Sequence, residues 1–201
     1  MMQSIVNFLT SYIITIPFLK KPFQDLKHPE KSYGMQKAMN LNIALENGED
    51  HIGAWFLQPL EDQNVPALPK SDDEQFLPLD PNQFLVGQDQ TLILYLHGNA
   101  ETRAQHHRRV LYEIFQKMGY FVLAIDYRCY ADSSKLFRPT QTTMVEDANT
   151  AFDWISKNSH PEANIIIWGH RYTVWKFQKF SLTIFSQKFR GSIGFTKEIT
   201  K

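Results

Sequence analysis

Residues 165–173 come nearest, in residue type and spacing, to known catalytic chemistry. Ile165-Ile166-Ile167-Trp168 is typical of a buried strand, and it runs into Gly169-His170-Arg171-Tyr172-Thr173. In serine hydrolases, a strand that turns sharply into a helix through G-x-S-x-G exposes the nucleophilic serine. Here Arg171 occupies the serine position, and Thr173 occupies that of the second glycine. The junction therefore predicts a hydrolase fold that has lost its nucleophile.

A second turn, His97-Gly98-Asn99-Ala100, follows the apolar run 91–96. In hydrolases of this type, an H-G turn supplies a backbone N–H that holds the negative charge developing on the substrate carbonyl oxygen. We expect the amide of Asn99 to be that donor. Tyr172 stands where the second donor belongs, so the predicted oxyanion hole is vestigial. The alternative is an ordinary strand-to-helix turn.

The remaining candidate groups favour structural roles. Asp126-Tyr127-Arg128 ends a predicted strand, where an acid and a base can cap a turn and pair with each other. The residues 106–109, two histidines and two arginines, predict a solvated helix face, because a metal site needs three or four convergent ligands. Cys129 is the one cysteine, and no pattern places a histidine beside it. We expect no metal, no other cofactor and no nucleic-acid partner.

Strands and helices that would position these turns alternate from residue 91 onward. Strands are predicted over 91–96, 120–125 and 164–168. One helix is opened by the capping pattern Thr102-x-x-Gln105 and the next by Thr143-x-x-Glu146. Alternating strands and helices imply a mainly parallel sheet. The predicted apolar faces are Val110, Leu111, Ile114, Phe115 and Met118 on the first helix, and Val145, Ala148, Phe152 and Ile155 on the second.

Upstream, residues 42–45 and 52–57 predict two strands joined at the hairpin signal Asn47-Gly48. Residues 58–90 are rich in Pro, Asp and Gln and predict a long loop. The fold class predicted is α/β: an antiparallel hairpin followed by a mainly parallel sheet, as at the start of an α/β hydrolase. We divide the chain into an apolar, membrane-proximal segment (1–40), a partial hydrolase core (41–170) and a tail (171–201).

The two ends of the chain differ from the core in composition. Residues 171–201 carry seven Lys or Arg and one Glu, a net charge of +6, whereas residues 1–170 carry a net charge of −6. The apolar stretch 5–19 contains Pro17 and is short for a spanning helix, which needs about 20 apolar residues. It fits an interfacial segment, a helix packed on the fold, or an anchor. The tail's seven aromatic residues are Tyr172, Trp175, Phe177, Phe180, Phe185, Phe189 and Phe195.

Several short motifs, taken in order and spacing, resemble one family. They are Leu94-Tyr95-Leu96-His97-Gly98-Asn99-Ala100, His107-Arg108, Gly119-Tyr120, Asp126-Tyr127-Arg128, Asp132-Ser133, Phe152-Asp153-Trp154-Ile155 and Trp168-Gly169-His170. The chain resembles the α/β-hydrolase-domain protein 12 group of lysophosphatidylserine and monoacylglycerol lipases. The likeness is strong over 90–170 and loose over 40–90.

The resemblance implies a serine lipase of the endoplasmic reticulum membrane, with a lipid substrate and a membrane surface as partners. It also implies that the catalytic acid and histidine of the family lie beyond position 201. His97 and His170 then belong to turn motifs, as Gly98 and Gly169 do, and neither is the catalytic base. We therefore expect this chain to be an inactive, truncated relative. The alternative is a non-catalytic pseudo-hydrolase that binds lipid or the full-length enzyme.

A coding hypothesis fits the junction at Arg171. A serine codon interrupted after its second base, with translation continuing into an intron, would give Arg-Tyr at 171–172. The reading frame would then run on through unrelated sequence. The charge reversal after His170 agrees with this hypothesis.

Overall fold

The computed structural model of the chain describes residues 25–61, 85–98, 101–136 and 138–169. The predicted N-terminal segment up to residue 24, most of the predicted loop and the predicted tail lie outside these residues. The elements, in chain order, are α1 (Pro29–Tyr33), β1 (Ala38–Ala44), β2 (His51–Leu57), β3 (Thr91–Leu96), α2 (His106–Lys117), β4 (Phe121–Ile125), α3 (Gln141–Lys157) and β5 (Asn164–Gly169).

The five strands form one mixed sheet in the order β1-β2-β4-β3-β5. β2 runs antiparallel to both β1 and β4, while β3 runs parallel to its neighbours β4 and β5. The predicted α/β class, with an antiparallel hairpin leading into a parallel sheet, is confirmed. The three strands predicted from residue 91 onward are observed with shifts of at most one residue.

β3 shows why the sheet is buried on both faces. Successive side chains of a strand alternate between faces, and here Leu92, Leu94 and Leu96 join the core beneath α3. Ile93 and Tyr95 join a second core, to which α2 contributes. The continuous apolar run over 91–96 is therefore the signature of a strand covered on both sides.

The hairpin turn between β1 and β2 forms where the Asn47-Gly48 pair predicts it. Gly48 has φ +71°, the left-handed region that favours glycine. The side-chain oxygen of Asn47 accepts a hydrogen bond from the backbone N–H of Asp50 at 3.0 Å. β1 begins at Ala38, four residues before the predicted start, because the ladder to β2 extends to the pair Ala38 and Leu57.

Both predicted helix starts are wrong by about one turn. α2 begins at His106 after Gln105, whose side chain makes no cap, and the Thr102 hydroxyl accepts instead from the nearby Ala104 N–H at 3.2 Å. α3 begins at Gln141, and Thr140 is its N-cap, in a reciprocal capping box with Thr143. The sequence offers several hydroxyl residues near each start, and only the backbone path decides which one caps.

The predicted apolar face of α2 is wrong for three of its five residues. Val110, Ile114 and Met118 are 42%, 46% and 57% exposed. Phe115 is buried and Leu111 packs against the same core, as predicted. The helix is therefore rotated about its axis relative to the orientation that its apolar pattern favours.

Two polar side chains on α2 are buried instead, and backbone carbonyl groups accept their hydrogen bonds. Gln116 donates from Nε2 to the carbonyl oxygens of Gln36 and Gln58, each at 2.8 Å. Arg108 donates from Nη1 to the carbonyl oxygen of Thr102 at 2.6 Å. A buried polar group that is hydrogen-bonded carries little of the penalty that hydropathy assigns to it.

The predicted face of α3 is confirmed: Val145, Ala148 and Ile155 are buried, and Phe152 packs against the same core. Among the described helices, none is long and apolar enough to cross a membrane.

Candidate functional site

The carboxyl ends of three parallel strands meet at one edge of the sheet. Leu96, the last residue of β3, pairs with Ile125 of β4 on one side and with Gly169 of β5 on the other. The ends of the three strands, at Leu96, Ile125 and Gly169, are therefore neighbours at this edge. In open parallel sheets this edge is where ligands bind.

The structure describes only some of the predicted site residues. His97, Gly98 and Gly169 lie at this edge, and the register brings the ends of β3 and β5 together. Four others lie outside the described residues, so their predicted roles stay predictions: Asn99, His170, Arg171 and Tyr172.

His97 is fully buried behind the turn that follows β3. Its ring lies between the rings of Tyr127 and Tyr130, with centroids 4.9 and 5.0 Å away. Its Nδ1 lies 2.6 Å from the carbonyl oxygen of Gly98, and its Nε2 lies 3.2 Å from Oδ1 of Asp126. The histidine is therefore buried and contacts two aromatic rings, while its role as a turn residue without catalytic function stays a prediction.

Asp126 does not pair with Arg128, contrary to the sequence-based expectation. Its carboxylate accepts from the backbone N–H of Arg103 at 2.8 Å and from Nη1 of the same residue at 2.6 Å. Arg128 instead donates from Nε to Asp147 at 2.5 Å and from Nη2 to Glu146 at 2.8 Å. β4 ends at Ile125, so both residues lie in the loop that follows it, where Asp126 reaches Arg103 and Arg128 reaches Asp147 of α3.

Arg103 is the most connected group at this edge, and its side chain is fully buried. Its guanidinium makes a bidentate pair with Asp132, Nη1 to Oδ1 at 2.7 Å and Nη2 to Oδ2 at 2.8 Å. Nη2 also donates to Oδ1 of Asn40 at 2.7 Å. The indole ring of Trp55 lies 5.3 Å from the guanidinium carbon, a favourable position for a cation. Two carboxylates, an amide and an aromatic face therefore hold one buried cation.

Gly53 of β2 makes room for this cluster. A Cβ at this position would collide with Oδ1 of Asp132, and it would lie 2.9 Å from the Asp132 Cγ and 3.1 Å from Nη1 of Arg103. The Gly53 backbone also binds the loop after β4, because its N–H donates to Oγ of Ser133 at 2.9 Å. The same hydroxyl donates to the carbonyl oxygen of Asp126 at 2.6 Å.

The electrostatics of the cluster favour its charged form. Burial raises the pKa of Asp126, but Arg103 and the His97 ring lower it by more, so the pKa lies below its ordinary value. Burial lowers the pKa of Arg103, and the carboxylates of Asp132 and Asp126 outweigh it and raise the pKa. Burial raises the pKa of Tyr130 to about 12, so this ring stays neutral beside His97.

The predicted solvated face at the start of α2 is only half confirmed. His106 and His107 are exposed, but Arg108 is buried and Arg109 is half-buried. Arg109 donates from Nη1 to the carbonyl oxygen of Tyr33 at 2.9 Å. Among the described residues, no three His, Cys, Asp or Glu side chains are placed to hold a metal ion.

Cys129 lies in the loop after β4, with φ +73°. Its sulfur exchanges hydrogen bonds with the backbone of Leu136, accepting from the N–H at 3.1 Å and donating to the carbonyl oxygen at 3.2 Å. The thiol therefore connects the two ends of the loop segment from Cys129 to Leu136.

Sequence reasoning missed Arg103, Asp132, Asn40 and Gly53. Arg103 donates to groups 23, 29 and 63 residues away in the chain. No spacing rule connects such positions, and only the pair Asp132-Ser133, as part of a family motif, drew attention to one of them.

Comparison with curated proteins shows which proteins the chain is similar to. The chain is 34% identical over 187 residues to a protein named lysophosphatidylserine lipase ABHD12 from Xenopus tropicalis. The similarity spans less than half of that relative's length. A second relative, human protein ABHD12B, is 29% identical over 163 residues. The resemblance found in the sequence is thus confirmed.

The homology covers 81% of this chain but only 44% of the Xenopus ABHD12 and 41% of the human ABHD12B. No protein-family model matches the chain. Among solved structures, an α/β serine hydrolase without a lid, from Xanthomonas campestris, superposes with a TM-score of 0.53 at 10% identity. The superposition covers 74% of this chain and 57% of that hydrolase. It supports an α/β-hydrolase fold for this chain.

Proposed function

We propose that this chain is the partial hydrolase core of an ABHD12-type lipase and that it does not itself hydrolyse esters. One observation carries the proposal: β3 and β5 end side by side, through the pair Leu96 and Gly169, where a serine hydrolase joins its oxyanion turn to its nucleophile. The third residue of the sequence that begins at Gly169 is Arg171.

An arginine cannot replace the serine chemically. The guanidinium stays protonated in proteins and offers only N–H donors, so it has no lone pair with which to attack a carbonyl carbon. The serine supplies the bond that forms in the acyl-enzyme intermediate, and without it only weak residual catalysis from binding and the oxyanion hole is expected. The H-G turn at His97 and Gly98 keeps its proposed role of facing the substrate carbonyl oxygen.

The proposed substrate class of the intact enzyme follows from the relatives. The Xenopus relative is named a lysophosphatidylserine lipase. We propose a lipid with a single fatty acyl ester, a lysophospholipid or a monoacylglycerol, as the molecule that the intact site would bind. Association with the endoplasmic reticulum membrane belongs to the same proposal, since such substrates partition into lipid bilayers.

A fluorophosphonate probe tests the loss of catalysis, because it labels only an activated serine. We expect no labelling of this chain above a heat-denatured sample, while the Xenopus ABHD12 relative serves as the positive control. Labelling of the native chain that heat abolishes would overturn the proposal. A Ser133→Ala variant would then test whether the buried Ser133, the serine nearest the cluster, is the labelled residue.

The alternative role as a lipid-binding pseudo-hydrolase is favoured by the composition of residues 171–201. Basic and aromatic side chains together bind anionic membrane interfaces, and this region has a net charge of +6 with seven aromatic residues. Co-sedimentation with phosphatidylserine vesicles, against phosphatidylcholine vesicles, tests it. A variant with Lys176, Lys179 and Lys188 changed to Gln is the matched control. Binding that is equal for both lipids and both chains would refute a role for these charges.

The origin of Arg171 can be tested at the level of the gene. Sequencing genomic DNA and transcripts across codons 169–175 shows whether a splice donor divides codon 171. A spliced form with Ser-x-Gly would assign the lipase activity to a longer product. An uninterrupted codon with no such form would instead favour the non-catalytic role.

A further inference from the structure

We propose that a second copy of this chain docks on one apolar face of the sheet, beside the strand β5. The face consists of Ile166 and Trp168 of β5 and of three residues on one flank of α2: Val110, Ile114 and Met118. We call it the β5–α2 face. The inference goes beyond the proposed function and does not depend on it, and the contacts that carry it lie within the described residues.

The exposed side chains of β5 lie on the same side of the sheet as α2, because directly paired residues of neighbouring strands share a face. In the ladder to β3, Ile166 pairs with Ile93, which belongs to the core to which α2 contributes. Trp168 pairs with Tyr95 of the same core, and its ring centroid lies 5.3 Å from that of Phe115 on α2. Ile166 and Trp168 are nevertheless 45% and 42% exposed, so α2 covers this part of the sheet only partly.

α2 directs a polar flank toward β1 and β2 and an apolar flank toward β5. Gln116 donates to the backbone carbonyl oxygens at positions 36 and 58, which lie just outside β1 and β2. Successive residues of an α-helix are about 100° apart, so Ile114 lies on the opposite side of Phe115 from Gln116. Val110 and Met118, four residues before and after Ile114, lie on that same side. The exposed apolar flank of α2 therefore adjoins β5.

β5 also has a strand edge that can pair. Among the described strands, its neighbour in the sheet is β3 alone. Sheet edges are usually protected against pairing by charged side chains, proline or bulges. The six residues Asn164–Gly169 include no charged residue and no proline. The edge and the apolar face are continuous, because Ile166 and Trp168 belong to both.

A second copy satisfies the edge and the face together. With a two-fold axis through Ile167, perpendicular to the sheet, the two β5 strands pair antiparallel, and Ile166 of one copy lies opposite Trp168 of the other. Such an axis makes the interface self-complementary and keeps the four side chains on the α2 side. A lipid surface would instead leave the N–H and C=O groups of the edge without partners, which hydrocarbon does not tolerate.

The two α2 helices face each other in this arrangement. Each α2 lies above β3, where the ring centroid of Tyr112 is 5.0 Å from that of Tyr95. Three strand spacings, about 14 Å in all, separate the two β3 strands, and a helix with its side chains is about 10–12 Å wide. The apolar flanks, with Ile114 and Met118 of each copy, therefore nearly touch above a floor formed by the two β5 strands.

Sedimentation velocity over a concentration series of the full chain measures this association. We expect a monomer–dimer equilibrium, because closed two-fold pairing uses the edge of both copies and stops at two. Ile114→Lys places a charge between the helices and should raise the dissociation constant of the dimer at least about tenfold. Ile166→Lys should have the same effect from the floor of the face.

Thr142→Lys is the matched control. It adds the same charge at an exposed position near the start of α3, the helix that packs on the other face of the sheet. We expect the dissociation constant of this variant to stay within about twofold of the native value.

A cysteine at the axis tests the register. In a Cys129→Ser chain, Ile167→Cys lies opposite itself in the dimer, where the Cα atoms of antiparallel partners are about 4.5–5.5 Å apart, within the range for a disulfide. Air oxidation should give a covalent dimer on a non-reducing gel. Thr142→Cys in the same background should give none.

Any of four results would overturn the inference. They are a chain that stays monomeric up to about 100 µM, a dimer that neither Ile114→Lys nor Ile166→Lys weakens, a dimer that Ile167→Cys does not trap, and growth into larger aggregates without a dimer. The first would indicate another occupant of the face, such as residues 170–201 or a lipid. If Ile166→Lys does not fold, as judged by circular dichroism, Ile114→Lys on the exposed surface of α2 decides by the same measurement.

Discussion

Gly53→Ala adds one methyl group at the most crowded point of the buried cluster. Its Cβ would collide with the Asp132 carboxylate and lie 3.1 Å from Nη1 of Arg103. The described glycines with a positive φ are Gly34, Gly48 and Gly119. Gly53 is not one of them, so an alanine at this position meets no backbone strain. The expected effect is therefore purely a displacement of Asp132 away from Arg103.

The size of the destabilisation depends on which partners Arg103 loses and which it keeps. Breaking a buried ion pair by removing one partner costs about 3–5 kcal/mol. Here Asp132 is displaced but still present, its side chain is 31% exposed and can turn to water, and Arg103 keeps Asp126. We therefore expect the free energy of unfolding to fall by about 2–3 kcal/mol, within the range for over-packed sites.

Urea unfolding followed by circular dichroism measures this change. With a slope of about 1–3 kcal/mol per molar urea, the midpoint should fall by about 0.7–3 M. Gly119→Ala is the matched control: its φ is +82° and its Cβ meets nothing within 4 Å. It should cost about 1 kcal/mol for the backbone conformation alone.

A double-mutant cycle isolates the clash. In an Asp132→Ala background, Gly53→Ala has no carboxylate to displace, so its cost should fall by more than about 1 kcal/mol, whereas the cost of Gly119→Ala should not change. Additive costs for Gly53→Ala and Asp132→Ala would refute the reasoning, as would a Gly53→Ala chain within about 0.5 kcal/mol of the native one.

Three further predictions test other parts of the structure. The pKa of Asp126 is lowered in the folded protein, so its ionised form stabilises the fold above the unfolded pKa of about 3.9, and this stabilisation is lost as pH falls through the folded pKa. Between pH 7 and pH 2, Asp126→Asn should therefore lose less stability than the native chain. An equal loss in the two chains would contradict this. Thr140→Ala should cost about 1 kcal/mol in urea unfolding, and Thr102→Ala clearly less, because only Thr140 caps a helix; equal costs would contradict the observed helix starts. Ile166 is 45% exposed on β5, which is an outermost strand of the described sheet. Ile166→Lys should therefore reduce aggregation, measured by light scattering, and lower the free energy of unfolding by less than about 1 kcal/mol. Undiminished scattering would show that this edge does not drive association.

The strands were predictable because their signal is local. The run 91–96 is continuous and apolar, as a strand buried on both faces requires. The run 165–168 also predicts a strand correctly, but its predicted burial is wrong, because Ile166 and Trp168 of β5 are 45% and 42% exposed. The hairpin turn was predictable for a similar reason, since Asn47-Gly48 supplies the backbone conformations that a tight turn needs. In each case the residues that determine the structure are neighbours in the chain.

The helix details were not predictable in the same way. On α2, Gln116 and Arg108 are buried because backbone carbonyls from other segments accept their hydrogen bonds, while Val110 and Ile114 are left exposed. A hydropathy pattern counts the cost of burying a polar side chain but not the distant groups that offset it.

For the candidate site, the sequence by itself determined the residue types of the two motifs, His97-Gly98 and Gly169-His170, and the arginine at position 171. Chemistry at a given position depends on residue identity, which the sequence states outright. Only the tertiary structure decided which groups surround the buried guanidinium of Arg103. Arg103 contacts Asp126, Asp132 and Asn40 across 23 to 63 residues of chain, and such contacts exist only once the sheet has brought separate segments to one edge.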